Sequence, residues 1–294
     1  MSPFKQSISN WGNYPVTESL VYQGKERPSS GSFIARGMGR CYGDSASQSQ
    51  IWSSRANRCM LDFDSTTGVL TAEAGLSLDE ILQTFVPRGW FLPVTPGTKF
   101  VSLGGAFASD IHGKNHHGKG CFSDHVQWIE LENAKGEVQR CSREENKALF
   151  ELSAGGMGLT GIILRLALKL QPIETAYIKQ RSIRCRNLQE TIEKIQAHQD
   201  WTHSVAWIDC LAPGKAMGRS ILLLGEHAKA HELPQKWQSK ALKPHSTKQR
   251  NFPFFLPGFA LNSFSVKAFN FLYYHKHPSG QKEQFVHYDP FFYP

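Results

Sequence analysis

The chain has 294 residues, 40% of them hydrophobic, and this is near the size at which a single core stops growing, so two domains are expected. Its 33 basic and 25 acidic residues give a net charge of +8, which suits an anionic ligand or surface, although solvated lysines produce the same balance. Six cysteines without a C-x-x-C pair exclude a zinc ribbon and a small disulfide framework, and the first eleven residues lack the apolar region of a secretory signal. A reducing, cytoplasmic environment is therefore expected.

The first part of the chain predicts strands mixed with one well-marked helix. Residues 32–35, 60–63 and 68–72 have the composition of short strands separated by turn residues. Ser77 and Glu80 have the spacing of a capping box, and apolar residues recur at helical spacing after Ser77, so a helix is expected there. Strands and helices do not alternate strictly, which favours an α+β fold.

A hairpin and a longer strand follow. Residues 126–131 and 137–141 flank the turn-forming segment Asn-Ala-Lys-Gly, which predicts a β-hairpin. Residues 164–170 place Leu at every second position with mostly polar residues between, a pattern typical of a half-buried strand, and Pro172 ends it. We expect the domain boundary at this proline.

The second domain, residues 173–294, also mixes helix and strand. A helix is expected over residues 188–199, capped by Asn187, and strands over residues 204–208 and 220–224. These elements predict a second α+β domain.

Residues 252–274 are rich in Phe, Leu and Tyr over a span long enough to cross a membrane. Two prolines, Asn262, Lys267 and Asn270 interrupt the run, so a transmembrane helix is not expected. The two interpretations that remain are a buried core segment and an apolar loop that faces a substrate.

The first of two glycine-rich segments covers residues 35–45 and follows the predicted strand at residues 32–35. Closely spaced glycines let backbone N–H groups converge on an anion such as a pyrophosphate, and a plain tight turn is the alternative. The dinucleotide fingerprint G-x-G-x-x-G is not met, because the third glycine after Gly37 and Gly39 falls one position late, at Gly43. No helix is expected after the segment, so a Rossmann interpretation fails.

A formal match to G-x-G-x-x-G exists at residues 156–161, in the wrong structural context. A helical pattern precedes it and the Leu-alternating strand follows, whereas the fingerprint requires strand, turn and helix in that order. We interpret these residues as a helix-to-strand turn near a cofactor, and not as an NAD site.

The second glycine-rich segment, residues 102–117, combines two adjacent glycines with a dense group of polar side chains. His112, His116 and His117 include the i, i+4 spacing of a zinc site, but nearby glycines weaken any helix and no cysteine or carboxylate stands at a typical ligand spacing. Solvated surface histidines are another interpretation. A cofactor or substrate cleft is favoured, and no metal is expected.

Together these segments resemble one protein family. They are similar to the decaprenylphosphoryl-β-D-ribose oxidase branch of the FAD-linked oxidases, which have the vanillyl-alcohol oxidase fold with a PCMH-type FAD-binding domain. The resemblance extends over nearly the whole chain. The stretches that carry it are Ala-Arg-Gly-Met-Gly-Arg-Cys-Tyr-Gly-Asp at 35–44, Pro-Gly-Thr at 96–98, Ser-Leu-Gly-Gly-Ala at 102–106, Asp-Ile-His-Gly-Lys-Asn-His-His at 110–117 and Gly-Leu-Thr-Gly-Ile-Ile at 158–163.

The resemblance implies an α+β fold in which two α+β subdomains within residues 1–172 bind FAD, followed by an incomplete α+β substrate domain. His112 and Lys114 are the candidate catalytic residues, which align an alcohol and accept its proton. Trp207 matches a tryptophan near the substrate pocket, and a buried strand aromatic is the alternative. The implied cofactor-binding residues are Ala35, Arg36, Gly37, Met38, Gly39, Arg40, Cys41, Tyr42, Gly43, Asp44, Ser45, Gly97, Ser102, Leu103, Gly104, Gly105, Ser109, Asp110, Ile111, His112 and Ile163.

Covalent flavin attachment in related oxidases uses a histidine directly after the Gly-x-Gly of the first loop, where this chain has Arg40. Non-covalent FAD is therefore expected, and a guanidinium suits its pyrophosphate. The reaction implied is oxidation of a sugar hydroxyl to a keto group on a polyprenyl-phosphate-linked pentose, a cell-wall polysaccharide precursor. The resemblance also implies a reductase or epimerase partner and peripheral membrane contact, while nucleic acid is not expected.

The chain departs from the family pattern at Cys41, where a serine is usual, and at residues 48–52, where an Asn/Gly-rich stretch is usual. Family members also continue well beyond the segment that resembles residues 284–290, through a part that carries a pocket cysteine, a pocket lysine and a tyrosine at the cofactor. A truncated chain is therefore expected. The alternatives to a sugar oxidase are another FAD-linked alcohol or aldonolactone oxidase and a non-catalytic flavin binder.

Overall fold

The computed structural model of this protein describes residues 2–244, 257–277 and 281–294. The chain divides into two compact units, Met1–Ile173 with Tyr293, and Glu174–Phe292 with Pro294. Each unit combines β-sheet with helices.

The elements of the first unit alternate irregularly along the chain. They are, in order, β1 (Phe4–Ile8), β2 (Thr17–Gln23), β3 (Ile34–Arg36), β4 (Gln50–Ser53), β5 (Met60–Asp64), β6 (Val69–Glu73), α1 (Leu78–Phe85), β7 (Trp90–Phe91), α2 (Leu103–Ala108), α3 (His116–Lys119), β8 (Val126–Glu132), β9 (Val138–Ser142), α4 (Lys147–Ser153), β10 (Ile162–Lys169) and β11 (Gln171–Pro172).

A four-stranded sheet in the order β1-β2-β4-β3 opens the first unit. β1 runs antiparallel to β2, whereas β4 lies parallel to both of its neighbours. Ile8, Val21 and Ile51 form a small core against which Ile34 packs. β1 lacks the apolar alternation that would have predicted it, because four of its five residues are exposed. The sheet holds β3 in place, and the first glycine-rich loop starts where β3 ends.

A five-stranded antiparallel sheet in the order β5-β6-β10-β8-β9 forms the rest of the framework. The predicted hairpin is confirmed as β8 and β9. The prediction of a half-buried strand is wrong in part for β10, because Ala167 is as fully buried as Leu166 and Leu168. A register shift between Ala167 and Leu168 in the pairing with β8 breaks the two-residue alternation at this point.

Two local predictions concern the helices of this unit. The capping box is confirmed, since Ser77 accepts the N–H of Glu80 at the start of α1 and the Glu80 carboxylate accepts the N–H of Ser77. Residues 156–161 form the turn between α4 and β10, in the structural order that was expected. The sequence suggested that Gly113 and Gly118 weaken any helix near the histidines. The structure has a single helical turn there, α3, which begins at His116.

The second unit is built on an antiparallel sheet whose strands are ordered β13-β14-β12-β15. The predicted Asn187 cap is confirmed, because its side chain accepts the Glu190 N–H at 2.9 Å, although the helix ends at Gln196. The elements are β12 (Tyr177–Cys185), α5 (Leu188–Gln196), β13 (His203–Ile208), β14 (Ser220–His227), α6 (Gln235–Gln238), α7 (Ser263–Lys276), β15 (Gln281–His287) and α8 (Tyr288–Phe292).

The apolar segment at residues 252–274 differs from both interpretations of its sequence. Residues 252–256 lie outside the described residues, and residues 263–274 belong to α7. For residues 263–274 the prediction of a buried core segment is wrong, because Phe264 is 82% exposed and Leu272 is 68% exposed. The prediction of a loop is also wrong there, because these residues form a regular helix. Within the described ranges, no helix has the length and apolar character needed to cross a membrane.

Candidate functional site

A cleft of about 690 Å³ opens within the first unit and is lined by both glycine-rich loops. The first loop follows β3, and the second leads into α2 and continues to His112. Trp11 and the turn before β10 complete the lining. This volume is within the range typical of small-molecule and cofactor sites.

The structure brings most of the expected cofactor-binding residues together at this cleft. Gly43, Asp44 and Leu103 are not among its lining residues, because the first two lie on an exposed bend of the loop and the Leu103 side chain is fully buried in the core. The expected residues that line the cleft are Ala35, Arg36, Gly37, Met38, Gly39, Arg40, Cys41, Tyr42, Ser45, Gly97, Ser102, Gly104, Gly105, Ser109, Asp110, Ile111, His112 and Ile163.

Arg36 holds the first loop in shape. Its guanidinium donates to Asn10 Oδ1 at 2.5 Å, to the Ala46 carbonyl at 2.8 Å and to the Ser9 carbonyl at 2.6 Å. The Asn10 amide in turn donates to the Gly43 carbonyl at 2.8 Å. Because all these contacts are internal, Arg36 positions the loop, and the loop is fastened to the segment before β2.

The first loop, which lines the cleft, also has backbone N–H groups without an acceptor in the described part of the chain. In the part of the chain that the structure describes, no hydrogen bond engages the N–H groups of Met38, Gly39 and Arg40. Gly39 has a φ of +64°, and successive N–H groups beside such a left-handed residue form an anion-binding concavity. The Arg40 guanidinium lies 5.8 Å from the centre of the Trp11 ring and adds a positive charge. These groups together fit a diphosphate.

The second loop lines the cleft, but the backbone N–H groups at the start of α2 are hydrogen-bonded within the protein. The N–H groups of Leu103 and Gly104 donate to carbonyls of the segment before α1, both at 2.8 Å, and Gly105 N–H donates to Ser102 Oγ at 3.3 Å. The first three amides of α2 are thus engaged within the protein.

Glycine is required where the two loops and the core meet. A Cβ at Gly37 would overlap the Ser102 hydroxyl, and a Cβ at Gly104 would lie 2.9 Å from the Ala74 Cβ. Real Cβ atoms essentially never approach other atoms so closely, so larger residues would push the loops apart. The missing side chains allow the backbone to form a tight cradle.

His112 and Lys114 lie on the segment that follows α2. His112 is exposed, lines the cleft and pairs with Cys121 in an isolated β-bridge, which fixes its backbone. Lys114 is not among the lining residues, and burial lowers the pKa of its ammonium group to about 8. Asp110 has a φ of +38°, and its carboxylate accepts the Ser123 N–H at 2.9 Å, which holds the bend before His112.

His116 contacts His112 and a cysteine. The ring of His116 lies 5.4 Å from that of His112, and its Nδ1 lies 3.8 Å from Cys121 Sγ. Across residues 2–244, 257–277 and 281–294, no group of three or more His, Cys, Asp or Glu side chains is placed to hold a metal ion.

Trp207 lies in the second unit, on β13, so it does not belong to this cleft in the first unit. Its ring packs at 4.7 Å from the ring of Tyr273 on α7. It is partly exposed, which differs from the alternative of a fully buried strand aromatic. Contact with a substrate stays a prediction.

Several residues of the site were missed by the sequence reasoning, among them Asn10, Trp11 and Met157. Asn10 and Trp11 join the first loop from a segment 25 residues earlier in the chain, and Met157 lines the cleft from the turn before β10. No local pattern marks Asn10 or Trp11, because their roles depend on a contact distant in sequence. The glycines around Met157 were a usable signal, since they indicated a turn near a cofactor.

Comparison with known proteins agrees with this geometry. Residues 29–142 match the FAD binding domain family, and this range contains the first loop, the second loop and the histidine segment. The unengaged N–H groups, Arg40 and the glycine cradle thus lie in the part of the chain that matches.

Several proteins of other organisms are similar to parts of this chain. Decaprenylphosphoryl-β-D-ribose oxidase of Mycolicibacterium smegmatis is 37% identical over 248 residues, covering 83% of this chain and 54% of that protein. An uncharacterised protein of Streptomyces coelicolor is 36% identical over 168 residues, covering 57% and 45% of the two chains. A putative D-arabinono-1,4-lactone oxidase of Neurospora crassa is 26% identical over 113 residues, covering 38% and 20%.

The chain spans about half the length of the first two of these relatives. The match to the FAD binding domain and the 37% identity to an oxidase over most of the chain coincide with the site. The chain therefore contains an FAD binding domain, and the cofactor of this domain is FAD.

Proposed function

We propose that this protein is an FAD-dependent oxidoreductase that oxidises a sugar hydroxyl to a keto group, with a polyprenyl-phosphate-linked pentose as its substrate. The observation that carries the proposal is that one cleft of the first unit is lined by both the glycine cradle and His112. The identity to a decaprenylphosphoryl-β-D-ribose oxidase over 83% of the chain supports the substrate class.

Bound FAD supplies the hydride acceptor for the carbon that bears the hydroxyl. His112 at the cleft wall orients that hydroxyl and takes its proton, since an imidazole nitrogen is a suitable general base. Lys114, whose pKa burial lowers to about 8, is a second group that exchanges protons near neutral pH. We assign substrate contact in the second unit to Trp207.

In this proposal FAD is held without a covalent bond. Arg40 occupies the position of the histidine that carries flavin in related oxidases, and a guanidinium does not form such a linkage. The N–H groups of Met38, Gly39 and Arg40 bind the diphosphate, while the Arg40 side chain adds a charge-assisted hydrogen bond.

The product of this reaction is a keto sugar, which a reductase has to reduce to complete an epimerisation of a cell-wall precursor. Such a reductase is the partner we propose. All six cysteines lie in described residues and are free thiols, which supports a cytoplasmic site of action beside the membrane that holds the lipid-linked substrate.

The experiment that tests the proposal starts with the purified chain and FAD. We expect a flavin absorption spectrum, release of the flavin on acid precipitation, and anaerobic bleaching by polyprenyl-phosphoryl pentose. Substitution of His112 by Gln is expected to slow bleaching about 10²- to 10⁴-fold while the FAD spectrum stays unchanged, because a general base contributes this much.

Each alternative function predicts a different result in this experiment. Equal bleaching by soluble sugars or aldonolactones would replace the lipid-linked substrate by a soluble one. Flavin that binds but is bleached by none of these compounds would leave only a flavin-binding chain. Flavin that stays with the acid precipitate would contradict non-covalent binding.

A further inference from the structure

Helix α7 of the second unit is anchored through polar side chains. Asn270 Nδ2 donates to Asp209 Oδ1 at 2.7 Å, and the Tyr274 hydroxyl donates to the Cys185 carbonyl at 3.2 Å. Asp209 is only 2% exposed and also pairs with Arg219 at 2.8 Å. Because Asn270 and Tyr274 are the buried residues of α7, the helix turns a polar side towards the sheet.

Away from these two residues, α7 carries exposed apolar side chains. Phe264, Phe271 and Leu272 are 82%, 54% and 68% exposed, and they form what we call the apolar face of α7. Phe259 and Leu261, just before the helix, are 81% and 73% exposed. A surface helix normally buries its apolar residues, so this reversed arrangement marks an interaction surface.

Two lysines of α7 flank the apolar face. At roughly 100° per residue, Lys267 and Lys276 lie on its two sides. No Asp or Glu stands between Glu232 and Glu283 in the sequence. The same span contains eight basic residues, Lys236, Lys240, Lys243, Lys248, Arg250, Lys267, Lys276 and Lys282.

Aromatic and aliphatic side chains flanked by lysines are typical of a helix that lies in the interface of an anionic bilayer. The apolar side chains enter the boundary of the acyl chains, and the lysines contact lipid phosphates. A second copy of the chain is a poorer partner, since two faces with the same positive border repel each other.

We infer that the apolar face of α7, with Lys267 and Lys276 beside it, docks the second unit on an anionic lipid bilayer. The inference stands on residues of the second unit alone and does not depend on the proposed oxidation.

The test is co-sedimentation of the FAD-loaded full chain with lipid vesicles. Vesicles of phosphatidylcholine that contain phosphatidylglycerol are compared with vesicles of phosphatidylcholine alone. We expect binding to the anionic vesicles, much weaker binding to the neutral ones, and weakening by added salt. The double variant Phe264→Ser with Phe271→Ser is expected to bind about tenfold more weakly or worse.

Matched controls separate the surface from general effects. Tyr14→Ser with Val16→Ser removes two other exposed apolar residues, 80% and 61% exposed, and is expected to bind vesicles like the unaltered chain. Lys267→Glu with Lys276→Glu is compared with Lys5→Glu with Lys135→Glu, which changes the net charge equally at exposed positions of the first unit. Only the first of these pairs is expected to lose binding to anionic vesicles.

Three results overturn the inference: no binding to anionic vesicles, equal loss in the control variants, or equal binding to neutral vesicles. A chain that dimerises in solution and becomes monomeric on Phe264→Ser with Phe271→Ser, without vesicle binding, would assign the face to a second copy. The flavin spectrum is recorded for every variant, so loss of the fold or of FAD is distinguished from loss of docking. Because no sugar substrate is present, the outcome is independent of the proposed reaction.

Discussion

The Cα of Gly37 lies so close to the Ser102 side chain that no Cβ fits between them. This contact joins the two glycine-rich loops, because Gly37 belongs to the first and Ser102 caps α2 at the start of the second. A larger residue at position 37 would therefore have to displace Ser102.

Substitution of Gly37 by Ala tests this contact. The added methyl group has to displace Ser102, and overpacking of this kind costs about 1–3 kcal/mol. We expect the dissociation constant of FAD to rise about tenfold or more, measured by titration of flavin fluorescence. Gly12→Ala is the control, since nothing lies within 4 Å of its Cβ position, and equal effects of the two substitutions would contradict the role of the contact.

Arg36 and Arg40 are expected to respond differently to the same change. Arg36→Gln removes a guanidinium from three internal acceptors, so the free energy of unfolding should fall by about 3 kcal/mol. Arg40→Gln should leave unfolding unchanged and weaken FAD binding, because Arg40 lines the cleft and we propose that its charge binds the FAD diphosphate. Denaturant unfolding and FAD titration of both variants give the comparison. A strongly destabilised Arg40→Gln variant would show that Arg40 is structural.

Lys114 predicts a pH dependence of flavin reduction. Burial lowers its pKa from the usual 10.5 to about 8, so the amine becomes neutral, and able to accept a proton, as pH rises through 8. The rate of anaerobic reduction by substrate should therefore rise through this pH and level off above it. Lys114→Met is expected to lose the inflection. An inflection near pH 8 that persists in this variant would exclude Lys114 as its source.

His227 predicts a loss of stability in acid. Burial, with a smaller effect of the nearby His203, lowers the pKa of His227 to about 3, so the folded state favours the neutral ring. The unfolded chain binds a proton near pH 6.5, and stability should fall as pH drops from about 6.5 towards 3, by up to ~1.4 kcal/mol per pH unit.

The check is denaturant unfolding at a series of pH values for the unaltered chain and for His227→Phe. The variant should lose this part of the pH dependence, while the part due to carboxylates such as Asp209, whose pKa is lowered by Arg219, remains in both. Curves that stay parallel over the whole range would contradict the assignment to His227.

Much of the fold and of the site could be predicted from short patterns within the sequence. Ser77 with Glu80 and Asn187 predicted helix starts because the capping groups lie within three residues of the amides they accept. The hairpin of β8 and β9 is equally local. The spacing of the glycines identified both loops of the cleft, because glycine residues can be read directly from the sequence.

Non-local contacts account for what was missed. The pairing of Asn10 with Arg36 joins residues 26 positions apart and has no pattern of its own. The amides of Leu103 and Gly104 are engaged by carbonyls that only the folded core brings near. The exposed apolar face of α7 was not predicted for another reason. Its apolar composition suggested burial, whereas the buried residues of α7 are Asn270 and Tyr274.

The tie between Arg36 and residues 9–10 has a practical consequence for anyone who shortens or tags this protein. The residues before β2 supply two of the three acceptors of Arg36, and Trp11 is part of the cleft wall. A deletion that begins the chain at Gly12 would remove no residue of the 29–142 match, yet it would release the first loop. The boundaries of the sequence match and of the working cofactor site are therefore different, and the site begins some 20 residues earlier.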